Sequence, residues 1–127
     1  MQRFDGLSVL LLEDEYLIAL DAEQILKGLG IEKVEIVATL DRAEQRAEDG
    51  QFDLAVLDVN INGQPSFPIA KAFARRGVPV VFASGYELRD RQLSGFENAI
   101  HITKPYTSAC LQGALSAALE KKGAPKP

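Results

Sequence analysis

A chain of 127 residues with 46% hydrophobic and 25% charged residues has an ordinary globular composition and predicts one domain with a self-sufficient core. Lys and Arg number 14 against 18 Asp and Glu, a net charge of −4 that argues against nucleic-acid binding, where affinity rests on clustered cations. Cys110 is the single cysteine, which excludes an internal disulfide and a cysteine-based zinc cluster. The first apolar run, 7–12, contains Ser8 and ends in Glu13-Asp14-Glu15. It is too short for a signal-peptide core and far short of the ~20 residues that span a bilayer, so a cytoplasmic protein is expected.

In chain order, short apolar runs alternate with helical patterns. The runs are 7–12, 34–38, 54–57, 78–83 and 99–102. Most are apolar on consecutive residues, as in parallel strands covered on both faces, whereas Val34-Glu35-Ile36-Val37 alternates like an edge strand. Ile18, Ala22, Ile25 and Leu29 line one face of a first helix that Gly30 can end. Asp41 with Glu44 resembles a capping box and starts a second helix ending near Gly50. Ser66 caps a third, with Pro68 tolerated in its first turn. A short fourth helix falls weakly within 88–96. Thr107 caps the last, which carries a stripe of Leu111, Leu115, Ala118 and Leu119. Residues 1–121 form the expected domain, and the Lys-, Gly- and Pro-rich segment 122–127 a flexible tail.

Five βα units predict an α/β doubly wound parallel sheet of flavodoxin-like order 2-1-3-4-5, with ligands bound outside the carboxyl ends of the strands. The polar residues at those ends are Glu13-Asp14, Asp58, Ser84 and Lys104. A carboxylate after a strand is commonly a helix cap, and a lone Ser or Lys means less. Their convergence on one rim is what carries chemistry. Three neighbouring carboxylates require a counter-charge, and hard oxygen donors suit Mg²⁺ better than zinc or copper. A carboxylate between a metal and a cation can act as a nucleophile, so the residues read as phosphoryl transfer onto Asp58, with Lys104 and Ser84 holding the incoming group.

Leu11-Leu12-Glu13-Asp14-Glu15, Leu57-Asp58-Val59-Asn60, Ser84 and Lys104-Pro105, in that order and at those intervals, resemble the receiver domain of two-component response regulators. The resemblance covers about residues 7–121. It implies that Asp58 accepts a phosphoryl group from a phosphohistidine on a sensor histidine kinase. Asp14 and Asp58 would bind Mg²⁺ directly, Glu13 through water and Asn60 through its backbone carbonyl. Lys104, before a cis bond to Pro105, would pair with phosphoryl oxygens. Ser84 would move in to hydrogen-bond them, shifting the loop after the fourth strand. Such a protein is a phosphoacceptor rather than an enzyme, although it assists its own phosphoryl transfer and autodephosphorylation.

Two departures stand out. His101, the single histidine, occupies the fifth-strand position where receivers commonly carry Tyr or Phe. It reads either as a partly exposed, hydrogen-bonded side chain or as a ring that switches pockets or senses pH. Phe82-Ala83-Ser84-Gly85-Tyr86 is similar to the motif of the so-called FATGUY single-domain regulators, with Ser for Thr. That branch often works with HWE-type kinases, and the likeness implies a switching or phosphate-shielding role for Tyr86. Partners expected from the resemblance are a kinase or phosphotransfer protein and a downstream protein. The output face would be the fourth helix, fifth strand and fifth helix, 88–121, with a homodimer through that face another outcome. Relay, sink and binding outputs stay open, and neither nucleic acid nor membrane is an expected partner. The rival readings are a degenerate, phosphorylation-independent binding module and a Mg-dependent aspartyl-phosphate phosphatase. The phosphatase motif would place Asp-x-Asp after the first strand, where this chain has Glu13-Asp14-Glu15.

Overall fold

In the computed structural model, which describes residues 4–85 and 99–123, the apolar runs become strands separated by helices. The order is β1 (Ser8–Leu12), α1 (Tyr16–Gly28), β2 (Lys33–Val37), α2 (Leu40–Asp49), β3 (Leu54–Asp58), β4 (Asn60–Ile61), β5 (Gln64–Pro65), α3 (Phe67–Arg75), β6 (Val80–Ser84), β7 (Ile100–Thr103) and α4 (Ser108–Gly123). Five parallel strands form one sheet in the order β2-β1-β3-β6-β7, the expected 2-1-3-4-5 when the principal strands alone are counted. The remaining pair, β4 and β5, is a small antiparallel hairpin. The expected fourth helix and the 124–127 part of the expected tail lie outside the described residues.

Both faces of the sheet are covered, which is why alternation is missing from the central strands. On β1, Val9 and Leu11 pack with Ala22 and Leu26 of α1 and Leu111 and Leu115 of α4. Leu10 and Leu12 point the other way, onto Ala43 and Ala47 of α2 and Ile69 and Phe73 of α3. Successive strand residues face opposite sides, so a strand between two helical layers must be apolar at every position. The edge strand β2 is only half-buried, and its Glu35 pairs bidentately with Arg46 of α2 at 2.6 and 2.9 Å.

Two helix starts differ from expectation. The N-cap of α2 is Thr39, whose Oγ1 accepts the Arg42 N–H at 3.2 Å. Asp41 lies inside the first turn instead, where its charge still complements the exposed N–H groups. Ser66 stands at the N-cap of α3 but makes no side-chain capping bond, and its buried hydroxyl has no hydrogen-bond partner among the described residues. Pro68 and Thr107 take the expected places: Pro68 sits in the first turn of α3, and Thr107 Oγ1 accepts the Cys110 N–H at 3.1 Å. After α1, Gly30 has φ +106°, and a Cβ there would meet Asp5 Oδ1 at 2.4 Å, so the chain reversal into β2 requires glycine. Leu57→Ala, in the fully buried centre of β3, is expected to cost about 2–5 kcal/mol in urea unfolding. Leu17→Ala, at a position 78% exposed, should stay within about 0.5 kcal/mol.

Candidate functional site

Parallel strands bring their carboxyl ends to one rim, and the polar residues at those ends meet there. Glu13 directly follows β1, and Asp58 is the last residue of β3. Ser84 is the last residue of β6, and Lys104 directly follows β7. The Lys104 N–H donates to the Ser84 carbonyl at 2.7 Å, which ties the two strand ends together. The Lys104–Pro105 peptide bond is cis. Lys104 Nζ donates to Glu13 Oε1 and to Asp58 Oδ2, both at 2.9 Å.

The carboxylates have further partners. Glu13 is buried, and its Oε2 accepts the Glu15 N–H at 3.1 Å where α1 begins. Asp58 Oδ1 accepts the Asn60 N–H at 3.2 Å, and Asp14 Oδ2 accepts the Asn62 N–H at 3.1 Å. Burial pushes the Glu13 carboxyl above its ordinary range, against the pull of the Lys104 hydrogen bond. For Lys104, burial lowers the pKa, but the bonds to Glu13 and Asp58 outweigh it and hold the ammonium above its ordinary value. Glu13, Asp14 and Asp58 each offer an oxygen within 4.8 Å of the others. One ammonium cannot neutralise three such groups, and an all-oxygen donor set fits a hard divalent cation.

A cleft of about 640 Å³ opens over this cluster and reaches Asp14, Asp58, Asn60, Ser84 and Lys104. Ser84 is buried, with its Oγ 3.1 Å from Nε2 of the half-buried His101. Burial lowers the His101 pKa and favours the neutral ring. Tyr86 lies outside the described residues. A second cleft, at the amino ends of the strands, holds Asp53 and Arg76 in structural roles. Asp53 accepts the Ser8 N–H, and Arg76 donates to the carbonyls of Ala47 and Glu48 near the end of α2.

Two contributors escaped the sequence reading. Asn62 (φ +50°) and Gly63 (φ +83°) connect β4 to β5 as a type I′ turn requires, and that turn carries the Asn62 amide to Asp14. The Asn-Gly pair between Ile61 and Gln64 was the available signal. Tyr106 also lines the cleft, with a buried hydroxyl that has no partner among the described residues. Burial, then the charges of Glu13 and Asp58, push its phenol far up.

A doubly wound sheet with an acid triplet and a lysine on its carboxyl rim defines the architecture of a receiver domain. The chain is 38% identical to SdrG from Sphingomonas melonis Fr1 over 89% of this chain and 96% of that one, with a TM-score of 0.77. A BeF3-activated conformation of SdrG, from Pseudomonas melonis Fr1, is 39% identical over 88% of this chain and 95% of that one, with a TM-score of 0.74. A response regulator receiver protein from Sinorhizobium medicae WSM419 is 26% identical over 91% and 96% of the two chains, with a TM-score of 0.78. Among curated proteins, the phyllosphere-induced regulator PhyR of Methylorubrum extorquens is 30% identical over 119 residues. That match covers 87% of this chain, which spans 43% of PhyR's length. No protein-family model matches the chain. With this fold, this site and these relatives, the chain belongs to the response regulator receiver family. Among the described residues, no helix is long and apolar enough to cross a membrane.

Gly63→Val forces a β-branched residue into positive φ and is expected to cost about 1–2 kcal/mol in urea unfolding. The low folded-state pKa of His101 leaves the unfolded chain with more bound protons in mild acid. The associated stability is present above the ordinary histidine pKa and is lost as pH falls through the folded value. His101→Gln should flatten this part of the acid limb in unfolding curves collected between about pH 7.5 and about pH 5.

Proposed function

We propose that the chain is a phosphoacceptor whose Asp58 carboxylate attacks the phosphorus of a phosphohistidine on a sensor histidine kinase or phosphotransfer protein. The O–P bond to Asp58 forms as the P–N bond breaks, and the departing imidazole keeps the nitrogen's electron pair. The observation that carries this reading is Lys104 Nζ held 2.9 Å from both Glu13 and Asp58 at the strand ends. Lys104 would exchange a carboxylate contact for a phosphoryl oxygen, and Ser84 would donate to another. Glu13, Asp14, Asp58 and the backbone carbonyl of Asn60 are the proposed Mg²⁺ ligands, Glu13 acting through water. The bound ion would supply charge neutralisation on the phosphoryl oxygens.

The existence of a BeF3-activated conformation of SdrG supports this reading, since beryllofluoride mimics a phosphoryl group on a carboxylate. The modified state would signal through protein contact or phosphorelay in the cytoplasm, using the 88–121 face, whose fourth-helix part lies outside the described residues. Tyr86 would shield the acyl phosphate, and an HWE-type kinase would be the donor by resemblance to the FATGUY branch. Incubation with Mg²⁺ and acetyl phosphate is expected to add the mass of one phosphoryl group to the wild type, releasing acetate, and none to Asp58→Asn. Chelation of the metal should suppress the gain. An unmodified wild type would point instead to a phosphorylation-independent binding module.

A further inference from the structure

His101 touches the residue that the proposed chemistry most needs to move. In the β6–β7 register, Phe82 is opposite His101 and Ser84 is opposite Thr103. Side chains two apart on a strand share a face, so Ser84 and His101 are diagonal neighbours across the ladder. Their Oγ and Nε2 atoms lie 3.1 Å apart. This is hydrogen-bonding distance, but its direction depends on where the ring carries its proton. With the proton on Nδ1, Nε2 presents a lone pair and Ser84 O–H must donate to it. With the proton on Nε2, the ring donates and the Ser84 hydrogen points to an acceptor other than His101.

A phosphoryl group on Asp58 offers only acceptor oxygens, and Ser84 lines the same cleft as Asp58 and Lys104. The single hydroxyl hydrogen of Ser84 cannot serve Nε2 and a phosphoryl oxygen together. If it turned to the phosphoryl group while Nε2 stayed unprotonated, two lone pairs would face each other. The pairing becomes favourable again when Nε2 carries the proton and donates to Ser84 Oγ. Phe at this position could take neither role, and a neutral imidazole can take both.

We propose that His101 is a positioning residue that holds the Ser84 hydroxyl in the resting protein and switches ring tautomer when Asp58 is modified. The inference rests on Asp58 being the phosphoacceptor. In the switch one proton leaves Nδ1 to water and one arrives at Nε2 from water, so the ring stays neutral throughout. The half-buried ring leaves this exchange open to solvent. His101 thereby converts from acceptor to donor and supports Ser84 from behind as Ser84 turns toward the phosphoryl group.

His101 is the single histidine in the chain, so ¹⁵N-histidine labelling gives an unambiguous ring spectrum. The spectrum of the full chain with Mg²⁺, at a pH where the ring is neutral, should place the proton on Nδ1. With beryllofluoride, the pyrrole-type and pyridine-type resonances should exchange between the two nitrogens. Loading of the wild type is read by ¹⁹F NMR. In the Mg²⁺-only state, Ser84→Ala, which removes the hydroxyl, should lose the Nδ1 preference and move the ring nitrogens toward the averaged resonances of a solvated imidazole. A resting ring already protonated at Nε2 would overturn the inference. So would a loaded wild type with an unchanged tautomer, or a Ser84→Ala variant whose resting ring keeps the proton on Nδ1. Failure of the wild type to load would overturn the phosphoacceptor reading and this inference with it, an outcome distinct from loading without a tautomer change.

Discussion

One half-buried ammonium bonds two of three clustered carboxylates, and most of the polar end of the molecule is arranged around that imbalance. Lys104 satisfies Glu13 and Asp58 directly, each at 2.9 Å, leaving Asp14 to a backbone amide of the β4–β5 hairpin. Charges taken from water must be paired or hydrogen-bonded, or they destabilise the fold that holds them. With its carboxylates ionised, the cluster carries more negative charge than one lysine can balance. The deficit suits the rim to a divalent cation, and under the proposed function a phosphoryl group would need the same cations for its own oxygens.

The scaffold determines which residues meet at this point. A parallel sheet directs the carboxyl ends of β1, β3, β6 and β7 to one side, and two helical layers bury everything below. Backbone bonds then lock the rim, the shortest running from Lys104 N–H to the Ser84 carbonyl at 2.7 Å. The ammonium and the serine are therefore positioned by one strand pair. His101 on β7, three residues before Lys104, reaches the serine hydroxyl across the same pair. Carboxylates, lysine and serine are thus linked through the sheet, and a change at one strand end bears on its neighbour.

The central strands were legible because burial on both faces leaves an unbroken apolar run, and the strand-end rule located Glu13, Asp58, Ser84 and Lys104. The elements that escaped are those too short for periodicity. A hairpin of two-residue strands has no pattern to detect, and its one cue was the Asn62-Gly63 pair. The α2 cap was displaced because Thr39 and Asp41 both suit a helix start, and the choice depends on where the preceding strand delivers the chain. The Ser84–His101 contact needed the parallel register, which fixes which residues are diagonal neighbours and is not encoded in local composition. Asn62 was hidden for a related reason: it contributes a backbone amide, so its residue type says little about its role.

Because the carboxylate surplus organises the site, the most direct measurement is thermal unfolding of wild type and Asp58→Asn with and without Mg²⁺. Removing one charge from an overcrowded cluster is expected to raise the melting temperature in the absence of metal. Mg²⁺ is expected to stabilise the wild type in a concentration-dependent way and to stabilise Asp58→Asn less. A wild type indifferent to Mg²⁺, together with an Asp58→Asn variant less stable than wild type without metal, would contradict a rim built around unbalanced negative charge.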